Sequence, residues 1–254
     1  MAAVKGVLLD LGGVVYVGTK PLAGAIDAIA RLRKAKLPLR FVTNTTRTPR
    51  GKLLAELKRM GLAVAADELF TPARAAREII EQERYRPLLL VHPALKADFA
   101  GLARGVREAV VVGDAGSGFT YAALNAAFRA LGRGAAFLAL ANNRSFRDAD
   151  GELSLDAGPF VAALGYASKR EPTVLGKPAP AFFEAAIASM NLRAGETVMI
   201  GDDVESDVAG AMAVGAGGIL VRTGKYESGA EARMAPPPTQ VCDDLAAAVN
   251  WLLR

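Results

Sequence analysis

Residues Val7 to Tyr16 read VLLDLGGVVY: an apolar run ends on one aspartate, and two glycines follow it. An aspartate that caps a turn is common. The glycine pair adds what a cap does not need, a backbone that folds back tightly and leaves room beside the carboxylate. The pattern recurs. Leu39 to Thr43 reads as a strand running into Thr43-Asn44-Thr45-Thr46, and Thr197 to Ile200 as a strand running into Gly201-Asp202-Asp203. Val4 to Leu9 and Gly218 to Val221 complete the set. Between these strands the apolar spacing predicts helices over Leu22 to Lys34, Arg50 to Met60, Pro72 to about Glu83, Pro180 to Met190 and Val204 to Val214, with a last helix over Leu245 to Leu253. Strands alternating with helices predict an α/β fold, a Rossmann-like doubly wound parallel sheet with helices on both faces.

The middle of the chain interrupts this order. Tyr85-Arg86-Pro87 breaks the pattern, and three further strands are predicted at Leu88 to Val91, Ala109 to Val112 and Ala135 to Leu140, with helices between them. The glycine-rich stretch Gly113 to Gly118 lacks a Gly-Lys-Ser/Thr ending and reads as a turn before a helix. A polar loop, Asn142 to Asp150, comes next, and the region closes near Lys169-Arg170-Glu171-Pro172. The expected organisation is a core domain of residues 1–84 and 170–254, with an α/β domain of residues 85–169 inserted into it.

The 254 residues are 52% hydrophobic, enough for a sizeable core. Thirty-one basic residues against 26 acidic ones give a formal charge of +5. They are scattered rather than striped, which argues against a nucleic-acid partner, while a mild positive field suits phosphate-bearing substrates. No apolar run approaches the roughly 20 residues a membrane span needs, and no leader pattern opens the chain. The expectation is a cytoplasmic protein with no membrane partner. The one cysteine, Cys242, excludes an internal disulfide, and the one histidine, His92, leaves no cluster for zinc. Catalysis has to run on carboxylates, lysine, hydroxyls and an oxygen-loving metal.

In open parallel sheets, ligands bind beyond the carboxyl ends of the strands. Four groups are predicted there: Asp10; Thr43, in a hydroxyl-rich helix start that can also cradle phosphate; Lys177, in Gly176-Lys177-Pro178; and the acids Asp202, Asp203 and Asp207. Lys177 precedes a helix, where the macrodipole disfavours a cation, so something anionic should compensate it. Three aspartates within Asp202 to Asp207 exceed what a cap requires. All-oxygen ligands favour magnesium over zinc. The spacing fits phosphoryl transfer, with Asp10 attacking phosphorus and the cations neutralising the phosphoryl oxygens.

The four segments Asp10-Leu11-Gly12-Gly13-Val14, Thr43-Asn44, Gly176-Lys177-Pro178 and Gly201 to Asp207 resemble, in order, the four motifs of the haloacid dehalogenase superfamily of phosphatases. The insert resembles a type C2 cap, as in subfamily IIA, and the likeness extends over essentially the whole chain. Phe41 to Thr46, Asp156 to Phe160 and Thr223 to Tyr226 fit the same branch. The resemblance implies roles. Asp10 is nucleophile and metal ligand, Asp202 a second ligand and the Gly12 carbonyl a third. Thr43 and Lys177 hold phosphate, and Gly12, Gly13, Val14 and Asn44 add amide donors. Asp207, and less directly Asp203, orients water on the magnesium. The resemblance also implies a small phosphorylated substrate, and it raises pairing of two subunits through the cap.

Gly12 departs from the pattern. Most phosphatases of the superfamily carry aspartate there, to protonate the leaving group and later activate water. Two readings are open: an enzyme for pyrophosphate, phosphoramidates or aryl phosphates, whose leaving groups need little protonation, or a catalytically weak protein that binds phosphorylated ligands. Asn142, Asn143, Arg144 and Arg147 of the cap's polar loop are candidates for reaching the substrate. A signalling receiver also uses Asp, Thr and Lys, but its acid pair precedes the phosphorylated aspartate, and its domain is about half this length.

Overall fold

The structure is a computed structural model that describes residues 4–102, 105–147 and 152–254. The chain divides into two compact units. One comprises Met1–Thr43, Leu53–Phe70 and Lys177–Arg254, the other Asn44–Lys52 and Thr71–Gly176.

The first unit is built on a six-stranded parallel sheet. In spatial order its strands are Gln240–Cys242, Gly217–Val221, Thr197–Gly201, Gly6–Asp10, Leu39–Val42 and Leu69–Phe70. The chain winds outward from Gly6–Asp10 to one edge, then returns to its other side at Thr197–Gly201. These two strands flank the switch point, where a crevice opens at the carboxyl ends. Successive side chains of a strand point to opposite faces, and both faces are apolar here. Val7 and Leu9 join one cluster with Ile29 and Leu32 of helix Ala25–Lys34, Leu57 of helix Arg50–Arg59 and Val249 of helix Leu245–Leu252. Leu8 and Met199 join the other, with Phe182, Phe183 and Ile187 of helix Pro180–Ala188.

The second unit has a four-stranded parallel sheet in the order Thr173–Val174, Ala136–Ala139, Arg107–Val112, Tyr85–Leu90. Helices Tyr121–Gly132 and Ala157–Ser168 cover one face, through Ala127, Leu131, Val161 and Leu164. Helix Pro72–Gln82 packs Ala73, Ala76 and Ile80 on the other, with Val111 and Leu138. Sequence order alone assigns this helix to the outer domain and begins the insert at 85. Its apolar face finds its partners in the second sheet.

Three local expectations also change. Tyr85-Arg86-Pro87 begins a strand rather than breaking one. It is the edge strand of its sheet, where a proline that cannot donate is tolerated. The expected helix Val204 to Val214 is a wide π-type winding over Val204–Ala209, followed by one α-turn, Gly210–Ala213. The polar loop contributes a strand, Ser145–Arg147, which pairs antiparallel with Leu153–Leu155 beyond it; positions 148–150 of that loop lie outside the described residues. Among the described residues, no helix is long and apolar enough to cross a membrane.

Phe183 has no exposed surface and meets Phe182 edge-on, ring centroids 6.2 Å apart. Replacing it with alanine should cost about 3–5 kcal/mol of stability, read as a lower urea midpoint at unchanged slope.

Candidate active site

Strand register brings the predicted residues of the first unit together. Asp10 pairs with Val42, so Thr43 stands one position beyond the carboxyl end of the neighbouring strand. Leu9 pairs with Ile200 on the other side, which sets Asp202 just beyond that strand's end. Carboxylate oxygens of Asp10, Asp202 and Asp207 all lie within 4.8 Å of one another, and all three residues are buried. Lys177 Nζ sits among them, 2.5 Å from Asp10 Oδ1 and 2.6 Å from Asp207 Oδ1. These are the anions that the position of Lys177 before a helix calls for.

The acidic segment is held by main-chain amides. The Lys225 amide donates to Asp202 Oδ2 at 2.7 Å. The Asp203 amide donates to Asp207 Oδ2 at 3.2 Å. Asp203 itself caps the winding, accepting from the Glu205 amide at 3.1 Å and the Ser206 amide at 2.9 Å, and its carboxylate lies 3.5 Å from Lys225 Nζ. The Asp203 carbonyl accepts from both Asp207 and Val208, at 3.0 and 3.2 Å. This is the widened turn that aims Asp207 back toward the strand ends, and such windings recur at functional sites.

Gly13 and Gly224 are required by close approach. Both have positive φ, and a side-chain carbon on either would come within 2.0 or 1.9 Å of Asp202 Oδ2. The expected role of the Gly13 amide is to bind phosphate. Instead that amide donates to the Tyr16 carbonyl at 2.8 Å, and the residue makes room for Asp202. Gly12 is the opposite case. It is exposed, its backbone lies outside the left-handed region, and a side-chain carbon there would meet no atom within 4 Å.

Burial dominates the electrostatics. It raises the Asp10 carboxyl above its ordinary value against the pull of Lys177, with Asp202 adding to the rise. Burial likewise pushes Asp202 up to about 6, against the Lys225 amide. Asp207 is pushed up to about 6, by burial working against Lys177 and with Asp10. Burial would lower Lys177, but the charges of Asp10 and Asp207 outweigh it and raise it. Asp203 goes the other way: burial is overcome by the Ser206 and Glu205 amides and by Lys225, and its carboxyl is lowered. Three clustered carboxylates facing one ammonium leave an excess of buried negative charge. An all-oxygen donor set of this kind fits a hard divalent cation, with the Gly12 carbonyl on the same turn as Asp10.

The remaining predicted residues belong to the second unit. Asn44 packs its amide oxygen beside Gly176, where a side-chain carbon would approach it to 2.7 Å. Asn142 and Arg144 are exposed. The carbonyl of Asn143 accepts from the Gly158 amide at 3.0 Å. Within the loop's strand pair, Phe146 is covered by the Arg47 guanidinium, 4.3 Å from the ring centroid, and Arg47 also pairs with Asp114. Gly224 and the Lys225 amide are additions to the expected site. The only signal for them is the stretch Thr223 to Tyr226, whose contact with Asp202 spans more than twenty positions.

A doubly wound parallel sheet that gathers three buried carboxylates and a lysine beyond the ends of its strands is an α/β fold with an acidic, cation-bearing site where such sheets bind ligands. Residues 7–103 match the family model described as haloacid dehalogenase-like hydrolase, and residues 174–248 one described as HAD-hydrolase-like. The chain is 42% identical over 252 residues to haloacid dehalogenase-like hydrolase domain-containing protein 2 of Homo sapiens, covering 99% of this chain and 97% of that protein. It is 39% identical to the phospholysine phosphohistidine inorganic pyrophosphate phosphatase of Bos taurus, over 100% of this chain and 96% of that one. A glycerol phosphate phosphatase from Mycobacterium tuberculosis, solved in complex with magnesium, superposes with a TM-score of 0.83 at 28% identity, over 96% of this chain and 76% of that one. The chain belongs to the haloacid dehalogenase-like hydrolases, and it is an enzyme of that family.

The packing and charge of the cluster can be tested separately. Gly13→Ala should weaken divalent-cation binding in calorimetry by tenfold or more, on the order of 1.4 kcal/mol, while Gly12→Ala should leave it nearly unchanged. Burial pushes the Asp202 carboxyl up to about 6, above the ordinary aspartate value. The folded state therefore holds a proton that the unfolded state has released, and this contribution to stability falls as pH rises from about 4 to 6. In chelator, Asp202→Asn should melt above the wild type at pH 7.5, with the advantage gone by pH 4. Magnesium should raise the melting temperature of the wild type and not of the variant.

Proposed function

We propose that the protein is a magnesium-dependent phosphatase that works through a phosphorylated Asp10 on small phosphorylated compounds. The observation that carries the reading is Lys177 lodged against Asp10, with Asp202 and Asp207 beside them beyond the ends of adjacent strands. In this scheme an Asp10 carboxylate oxygen attacks phosphorus in line as the bond to the leaving group breaks. The Lys177 ammonium and the Thr43 hydroxyl hold the phosphoryl oxygens and offset their charge, which is where most of the acceleration arises. Asp10, Asp202 and the Gly12 carbonyl would ligate magnesium, with Asp207 beside them; when bound, it supplies positive charge that lets a carboxylate approach a phosphate dianion. Asp207 also holds Lys177, 2.6 Å from its Nζ, so the ammonium stays charged and in place.

Gly12 sets the substrate range. With no side chain at that position to give a proton, the leaving group must depart unaided. That favours pyrophosphate, whose leaving group is phosphate, phosphoramidates, whose nitrogen is already protonated, and aryl phosphates. A general acid typically contributes ~10²–10⁴ in rate, and alkyl phosphates should fall behind by a comparable factor. The name of one relative, a phospholysine phosphohistidine inorganic pyrophosphate phosphatase, supports this choice of substrate class.

A phosphate-release panel with magnesium tests the reading, with Asp10→Asn as control. The expected result is turnover of P–N, P–O–P and aryl substrates well above alkyl esters. Gly12→Asp, for which the site has open space, should raise alkyl-phosphate turnover by about 10² or more. Sugar phosphates turning over fastest would reject the substrate class. A panel in which nothing exceeds Asp10→Asn would leave a phospho-ligand-binding protein, the second reading that Gly12 favours.

A further inference from the structure

Discharge of a phosphorylated Asp10 is a separate reaction with its own proton requirement, and any inference about it rests on the reading that Asp10 becomes phosphorylated. Water must lose a proton as it attacks phosphorus, and a positioned base typically contributes ~10²–10⁴ to such a step. A substrate with a good leaving group removes the need for an acid in the first half-reaction. It cannot help in the second, because the attacking water is the same for every substrate.

Among the described residues, the carboxylates beside Asp10 are each held in place by hydrogen bonds. Asp207 binds Lys177 and accepts from the Asp203 amide. Asp202 accepts from the Lys225 amide. Asp203 accepts from the Glu205 and Ser206 amides. The chain's one histidine, His92, belongs to the second unit, where its Nδ1 accepts from the Ala94 amide at 3.3 Å. On the turn after Asp10, Gly12 presents exposed backbone and open space out to 4 Å from where a side chain would begin. That turn offers room for an incoming molecule, and Gly12 brings no side-chain base to it. An unprotonated nitrogen needs none, since its lone pair attacks directly and its proton is shed afterwards.

We propose that phosphorylated Asp10 is discharged by nitrogen nucleophiles, neutral amines and imidazoles, faster than by water, so that the protein is also a phosphoryl-transfer enzyme that makes phosphoramidates. In the first step the bond from an Asp10 carboxylate oxygen to phosphorus forms as the bond from phosphorus to the donor's leaving oxygen breaks. In the second, a nitrogen–phosphorus bond forms as the Asp10 oxygen–phosphorus bond breaks. The carboxylate is regenerated and the N–H proton passes to solvent. The donor is any phosphate ester or anhydride whose leaving group departs without protonation. The acceptor occupies the open ground at Gly12.

The test uses p-nitrophenyl phosphate as donor and imidazole as acceptor, with magnesium, at about pH 8, where imidazole is mostly neutral. The expected record is a burst of nitrophenol equal to the enzyme present, then a steady rate that rises about tenfold or more with imidazole. Phosphoimidazole should appear by phosphorus NMR in early quenched samples. Gly12→Asp should lose both the burst and the dependence on imidazole. A burst and then a steady rate that imidazole does not change would overturn the proposal while leaving the phosphorylated aspartate standing. So would acceleration with inorganic phosphate as the only early product, since imidazole would then be acting as a base. Nitrophenol release no faster than from Asp10→Asn would overturn the phosphorylated-aspartate reading and the proposal with it.

Discussion

The structure depends on one ammonium held between two carboxylates in a place that water barely reaches. Lys177 touches both Asp10 and Asp207, and all three residues are nearly inaccessible. Removing two charges from water costs several kcal/mol per ion, and attraction repays this only where geometry is close and the remaining lone pairs are bonded. Here the geometry is close, and Asp202 adds a negative charge with no cation of its own inside the cluster. The site is therefore a store of unfavourable charge. It persists because the sheet beneath it, apolar on both faces, fixes the strand ends from which the charges project.

This explains why the surroundings of the cluster are so constrained. Asp202 has glycine on two sides, Gly13 and Gly224, because any other residue would collide with its carboxylate. Asp207 lies on the winding after Asp203, which is wider than an α-helix. Main-chain amides of Asp203 and Lys225 satisfy oxygens that would otherwise cost free energy in burial. The positive-φ glycines and the wide winding weaken the local fold taken alone, and the amide hydrogen bonds offset part of that cost. Together they hold negative charge ready for a cationic ligand, which is how function and stability come to oppose each other at such sites.

The parts of this arrangement that rest on local pattern are legible in the sequence. Apolar runs ending in Asp10, Thr43 and Asp202 mark strand ends, and the alternation of strands and helices implies that these ends lie side by side. Two kinds of information are not local. Helix Pro72–Gln82 carries an amphipathic pattern that says which face is buried but not which sheet buries it. Pro87 reads as a breaker until the strand is known to lie at an edge. The short strands Leu69–Phe70 and Gln240–Cys242 are too brief for periodicity to show, and they exist because neighbouring strands supply their partners. The widened turn at Val204–Ala209 has the composition of an ordinary helix start. It carries Asp207 to within 2.6 Å of Lys177, a contact thirty positions away that local composition does not show.

Gly12 stands apart from this interdependence. Removing a side chain from a packed position leaves a cavity whose cost grows with its volume, and removing a partner from the cluster would strand a buried charge. Neither applies at Gly12, where no atom leans on the missing side chain. In the proposed reaction a glycine there would alter the proton chemistry while leaving Asp10, the lysine and the acids in place. The buried cluster is thus built from mutually dependent parts, whereas in the proposed reaction the choice of leaving group and acceptor would rest on one exposed position that nothing packs against. The same scaffold can therefore change its reaction partners through a substitution that its stability does not register.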